Sequence, residues 1–220
     1  MAEPSPGTMH EMIPEGQCGE ARIEHFDVTK EDAAFTRIRY VASGGRDFPV
    51  DPGRYVQLLV EGKLVMSDTR AEANTNRMVV ANAKGNVLIA GLGIGLILIP
   101  ILRKPEVRRV EVIEVSADVI TLVEAPLRKA LGRDAKKLKI IHADVREWEP
   151  RPFHRWDTIY FDIWGDFSLD DLEEMETLHS RFRPFLRNDE AWMSSWQYRE
   201  LKSQADESDE DDWEFEDDGE

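Results

Sequence analysis

The stretch NVLIAGLGIGLILIPILRK, Asn86 to Lys104, constrains this chain more than any other. From Val87 to Leu102 it is apolar for sixteen residues, broken by Gly91, Gly93, Gly95 and Pro100. A membrane-spanning helix needs about 20 apolar residues with few breakers. Here the glycines fall where such a helix would need rigidity, and Lys84 and Arg103 close off both sides. The run therefore reads as two elements, a buried strand from Asn86 to Ala90 and a helix from about Ile94 to Arg103. A strand that is apolar on both faces belongs at the centre of a parallel sheet. Pro100 lacks an N–H and has a fixed φ, so it should kink or shorten the helix.

The flanking pattern supports this reading. Residues 1–20 are rich in Pro, Gly and Ser without periodicity, and are expected to be a flexible terminus. From Ala21 to Met66 the texture is β. RYVQLLVEGKLVMSD carries two apolar runs around Glu61-Gly62, the signal of a hairpin. Thr69 to Ala83 reads as a linker helix. After Lys84 strands and helices alternate: RRVEVIEV, then SADVITLVEAPLRKAL capped by Ser116 or Asp118 and ended by Gly132, then KLKIIHADV, WDTIYFDIW, SLDDLEEMETLHSRFRPFL and EAWMSSWQY. Such alternation specifies an α/β, doubly wound, mostly parallel sheet. The expected divisions are 1–20, a hairpin region with its linker helix at 21–83, a nucleotide-binding core at 84–201, and a disordered acidic tail at 202–220.

Charge limits the partners. The formal net charge is −16, but residues 205–220 hold 11 acids and no Lys or Arg, which leaves −5 for residues 1–204. The body has no basic stripe, so a direct nucleic-acid ligand is not expected. A single cysteine, Cys18, permits no internal disulfide and suggests a reducing, cytoplasmic setting. The N-terminal residues lack the basic and apolar regions of a secretory signal.

A strand, a glycine bend and a helix make a cradle for a nucleoside, because the backbone can approach a ligand where a Cβ would clash. The dinucleotide fingerprint places glycines first, third and sixth. Counting from Gly91 the sixth residue is Leu96, and the glycines are first, third and fifth. That spacing suits S-adenosylmethionine (SAM), which has no pyrophosphate to anchor. Three acids fall at successive strand ends. Glu114 ends VEVIE, Asp144 follows IIHA and Asp162 ends IYFD. Carboxyl ends of parallel strands face the ligand crevice. Glu114 could therefore accept from ribose hydroxyls, and Asp144 from an adenine amino group, with the Val145 N–H as a donor to the ring. Each acid alone would also serve as a solvated strand-end carboxylate or a helix cap.

With these motifs the chain resembles the class I SAM-dependent methyltransferase fold, and within it the spermidine synthase (polyamine aminopropyltransferase) branch, from about Tyr55 to Tyr198. LLVEGKLVMSDTRAE is similar to the N-terminal hairpin of that branch, NVLIAGLGIG to its first motif, VEVIEVSADVI to its second, HADVREW to its adenine motif and WDTIYFDIWGD to its fourth-strand motif. The resemblance implies a Rossmann-like core, Glu114 on the cofactor ribose, Asp144 on adenine, and SAM or decarboxylated SAM as cofactor. It also makes the N-terminal hairpin a dimer element. The chain departs from the branch in three places. Ile94 stands where the family has Asp. The fourth strand runs into Asp162-Ile-Trp-Gly-Asp166 instead of Asp-Ser-x-Asp-Pro. The final pair of strands is absent.

Methyl transfer needs an aligned nucleophile, exclusion of water and, for a protonated acceptor, a base. Asp162 is the first candidate base and Asp166 the second, although Asp166 could equally cap the helix near Ser168. The acceptor is a small molecule, and an amine would suit these acids. A diamine would need an acidic slot, for which Asp162, Asp166 and Asp68 are the candidates. Trp164 could wall the pocket or pack in the core. His179, on a helix with acids before it and bases after, is expected at the surface, and His142, pointing out of a strand end, is expected packed or solvated. His10 and His25 lack partners at metal-ligand spacing, so no metal is expected. Trp213 and Phe215 among the tail acids could dock on a basic partner. The readings that remain are a methyltransferase of unknown substrate, an aminopropyltransferase, and a non-catalytic nucleoside-binding or scaffold protein acting through its tail.

Overall fold

A computed structural model describes residues 7–43, 48–165 and 167–214, with residues 208–214 described by backbone alone. The strands are β1 (Gly16–Cys18) and β2 (Ala21–Val28), then, after helix α1 (Lys30–Ala42), β3 (Gly53–Val60) and β4 (Lys63–Ser67). They form an antiparallel sheet in that order. Two short helices follow, α2 (Arg70–Thr75) and α3 (Arg77–Asn82). The second half continues as β5 (Gly85–Ala90), α4 (Leu98–Arg103), β6 (Val107–Glu114), α5 (Ala117–Leu131), β7 (Leu138–His142), β8 (Thr158–Phe161), α6 (Leu172–Phe182), β9 (Trp192–Ser195) and α7 (Tyr198–Glu214).

The five later strands pair in parallel throughout, in the order β7-β6-β5-β8-β9. This is the α/β sheet that the alternation requires. β5 is central, and Val87 to Ala90 are fully buried on both faces. Strand order reverses beside β5, between β6 on one side and β8 on the other, which is where such sheets leave a crevice. Glu111 lies mid-strand in β6 at 5% exposure. It is tolerated because Trp156 Nε1 donates to it at 3.1 Å and Arg109 and Lys139 pair with it at 3.0 and 3.5 Å.

The local signals mostly act as expected. Glu61 and Gly62 both take positive φ, 52° and 75°, the hairpin turn that matches strand twist. Ser116 caps α5 by accepting from the Val119 N–H at 3.2 Å, and Gly132 ends it at φ 56°. Asp118 serves elsewhere, accepting from the Glu20 N–H at 3.2 Å and so docking the first hairpin on α5. Pro100 leaves α4 only six residues long.

Four expectations need correction. Residues 1–20 include a 3-10 turn and β1, and Met9 and Ile13 are fully buried in the core. Between β2 and β3 the chain forms α1, not more strand; Thr29 and Asp32 make a reciprocal capping box at its start. The linker helix breaks at Asn76, whose backbone leaves the helical region at φ −92° and ψ 2°, and whose carboxamide oxygen accepts from Tyr160 Oη at 3.0 Å. The acidic segment after residue 202 continues as helix α7 to Glu214. Its first turns are anchored by Leu201, 1% exposed, and by Lys202 against Glu176 at 2.9 Å.

Candidate functional site

The carboxyl ends of β5, β6 and β8, with the residues that follow β7, meet at one rim. β5 runs into the bend Gly91–Gly95, where all three glycines have positive φ, 101°, 50° and 77°. A Cβ at Gly91 would lie 2.0 Å from the Asp162 carbonyl oxygen, and one at Gly93 2.0 Å from Met66 Sδ. A larger residue at Gly91 would force β5 from β8, and one at Gly93 would have to adopt a strained positive φ and push the Met66 side chain aside. The Ile94 N–H donates to Met66 Sδ at 3.1 Å, so the N-terminal hairpin lies closed over the bend. Gly95 has a different role. Its missing Cβ faces Leu127 at 3.0 Å, which lets α5 approach, and Gly95 is not part of the cavity wall.

A cavity of about 280 Å³ opens at this rim, and Gly91, Gly93, Glu114, Asp144, Val145 and Asp162 all line it. Asp166 lies outside the described residues. Its apolar lining comes from Leu58, Val60, Val65 and Met66 of the hairpin and from Leu96 and Ile97 after the bend. Trp164 and Trp196 close the side nearest β8 and β9.

The acids are not equivalent. Glu114 is 8% exposed and already bound at both ends: one oxygen accepts from the Leu92 N–H and the other from the Ser116 N–H, each at 2.8 Å. It clamps the glycine bend to the end of β6. Asp144 accepts from the Arg146 N–H at 2.9 Å. Asp162 follows β8, and its carboxyl has no hydrogen-bond donor among the described residues. Burial, then the charge of Glu72, pushes it from an ordinary 3.8 up to about 7.

Glu72, on α2, is a wall residue that sequence reasoning missed. Burial raises its carboxyl to about 7, against a smaller opposing pull from the Ser67 backbone. The sequence offered a different acid four residues earlier, Asp68, for an acidic slot. The structure removes Asp68 from that role. It is fully buried away from the cavity, with its oxygens taken by the Met9 and Val56 N–H groups at 3.0 and 2.7 Å. No local signal separates the two; the fold does.

The wall therefore holds four carboxylates, Glu72, Glu114, Asp144 and Asp162, against one cation, Arg146. That cation is already gripped by Glu174 through Nε at 2.6 Å and Nη2 at 3.1 Å. Glu174 also accepts from Trp164 Nε1 at 2.8 Å, so one acid fixes both the arginine and the indole at the rim. Arg146 holds the Glu174 carboxyl below its usual range.

The histidines lie elsewhere. His142 is exposed, with a ring nitrogen 3.0 Å from the Val115 carbonyl. His179 is not the surface residue expected. It is 7% exposed, packed on Tyr198 and Phe161, with Nε2 2.8 Å from Ser195 Oγ. Burial, then Arg183, drives its pKa from 6.5 down to about 4. Among the described residues no three His, Cys, Asp or Glu side chains are grouped to hold a metal ion, and no helix is long and apolar enough to cross a membrane.

No protein-family model matches the sequence, and no curated protein matches it. Among solved structures, the chain is similar to spermidine synthase from Thermotoga maritima, with a TM-score of 0.46 and 19% identity over 78% of this chain and 52% of that one. It is also similar to coclaurine N-methyltransferase, TM-score 0.41 and 17% identity over 53% and 32% of the two chains. A third similarity is to the glycopeptide N-methyltransferase MtfA, TM-score 0.40 and 19% identity over 53% and 48%. The chain spans about half the length of the spermidine synthase.

Proposed function

We propose that the cavity binds S-adenosylmethionine and that the protein transfers its methyl group to a small-molecule acceptor. One observation carries the reading. The glycine bend and the acids Glu114, Asp144 and Asp162 share one cavity at the point where strand order reverses. A wall with four carboxylates and one arginine already in an ion pair favours a cation.

The residues fit an adenosyl sulfonium. Each Glu114 oxygen has lone-pair capacity beyond the N–H it already accepts, so ribose hydroxyls can be added without breaking the clamp. Asp144 and Val145 would meet the adenine edge, and Gly91 and Gly93 present backbone without side chains. The bound cofactor supplies a methyl group already activated on sulfur. The protein is left to align the acceptor, exclude water and take a proton. Asp162, with its pKa near 7, can accept that proton at its carboxylate at neutral pH and return it to solvent. The apolar hairpin wall keeps water from the reacting atoms.

A second reading, aminopropyl transfer from decarboxylated SAM, is favoured by the acid-rich cavity wall and weakened by the loss of Asp68 to the interior. Calorimetry separates the alternatives. Binding of SAM and S-adenosylhomocysteine without preference for the decarboxylated form supports methyl transfer. The reverse preference with turnover of putrescine supports the second reading. Binding of none of them overturns both and leaves a scaffold.

A further inference from the structure

The proposal above assigns no role to Glu72, yet the fold takes trouble to hold it. α2 is a six-residue helix that would not persist alone. Two side-chain bonds tie it to the parallel sheet: Trp196 Nε1 donates to Thr75 Oγ1 at 3.2 Å, and Tyr160 Oη donates to Asn76 Oδ1 at 3.0 Å in a buried pair. Together they fix α2 over the carboxyl end of β8, where Asp162 emerges. Glu72 and Asp162 wall the same cavity, and neither pairs with a Lys or Arg among the described residues. The nearest cation in sequence, Arg70, is turned to Asp51 at 3.0 Å.

The remaining acids have other places: in the adenosyl reading Glu114 and Asp144 face the ribose and the adenine. Glu114 holds two N–H groups, Asp144 holds the Arg146 backbone, and Asp68 lies in the interior. At the acceptor end the described wall thus has one anionic focus. The described lining from the hairpin and from the residues after the bend is aliphatic, Leu58, Val60, Val65, Leu96 and Ile97, and offers no partner to a second charge.

We infer that the acceptor is a monoamine with an apolar carbon body, its one ammonium group held between Glu72 and Asp162. This rests on reading the cavity as an adenosyl site, and it narrows the acceptor left open there. Two carboxylates facing one ammonium group satisfy its donors while the body displaces water from the aliphatic wall. A diamine would have to bury its far charge against that wall without a partner, a cost that the methyl end of a monoamine does not carry.

The test is calorimetric titration of the full chain, saturated with S-adenosylhomocysteine, with butylamine, hexylamine, hexanol and putrescine. Each added methylene should tighten binding about fourfold, so hexylamine should bind more than tenfold tighter than butylamine. Putrescine should bind more weakly than butylamine, and hexanol more weakly than hexylamine. Glu72→Gln should weaken hexylamine binding at least tenfold while changing S-adenosylhomocysteine affinity less than twofold. Putrescine binding tighter than butylamine, hexanol equal to hexylamine, or an unchanged Glu72→Gln affinity for hexylamine would each overturn the inference. The comparison of the four ligands on the native protein stands even if the variant folds poorly. Retained S-adenosylhomocysteine binding with no amine binding removes this inference alone. Loss of both removes the adenosyl reading as well.

Discussion

Replacing Asp162 by Asn should stabilise the protein at neutral pH and above, by an amount that grows as pH rises toward about 7 and then levels off. The carboxyl is displaced from 3.8 to about 7, first by burial and then by Glu72. That displacement corresponds to about 4 kcal/mol between the protonated and ionised folded forms. Because the folded-state value is raised, between pH 3.8 and 7 the folded chain keeps a proton that the unfolded chain has released. Stability therefore falls as pH rises through this window, and the full penalty is present above about 7. Asn cannot ionise and escapes it. Relaxation and water entry reduce the ideal figure, so about 4 kcal/mol is a ceiling. The measurement is urea unfolding of both proteins at steps from pH 4 to 8.5, with the slope against denaturant checked for equality. The variant's stability relative to the native chain should begin to rise near pH 4, gain 2 to about 4 kcal/mol by about pH 7, and level off above that. A difference that is flat with pH, or that falls as pH rises, would refute the reasoning. Asp162 would then be an ordinary solvated strand-end acid, and its use as a base at neutral pH would go with it.

Three further outcomes are expected. Gly91→Ala should cost at least about 3 kcal/mol in denaturant unfolding, since φ is +101° and the new Cβ meets the Asp162 carbonyl at 2.0 Å. Gly165→Ala, which meets nothing within 4 Å, should stay within about 0.5 kcal/mol; equal losses would mean the bend is not tightly built. Glu114→Ala should strand the Leu92 and Ser116 N–H groups at a cost of about 1–3 kcal/mol and reduce S-adenosylhomocysteine affinity beyond calorimetric detection; retained affinity would contradict its place on the ribose. His179, held neutral with its pKa near 4, should make the native chain lose up to about 3 kcal/mol as pH falls from 6.5 to 4, because the unfolded imidazole binds the proton first. His179→Gln should flatten that acid limb, and an unchanged limb would place the loss elsewhere.

The sheet was readable because its signals are local. A both-faces apolar strand, a glycine bend and capped amphipathic segments each report on a few neighbouring residues, and their alternation leaves few topologies. The same locality places acids at strand ends, so the lining by Glu114, Asp144 and Asp162 was expected. Its limits show at α1, where a helix with little buried surface hides among strands, and at residues 9–13, where burial of Met9 and Ile13 depends on a distant sheet.

The residues alone carried the succession of strands and helices after Lys84 and the bend where backbone must lie bare, since steric freedom at glycine and the period of apolar residues are properties of short segments, while the order of the strands within the sheet came from the fold. Tertiary structure decided which carboxylates remain for a ligand. Asp68 and Glu72 stand four residues apart, but the chain turns from extended strand to helix between them. One then meets backbone N–H groups inside the protein, and the other meets the cavity beside Asp162. Burial and partners, set by contacts from residues far along the chain, separate an acid bound inside the protein from one left facing the cavity.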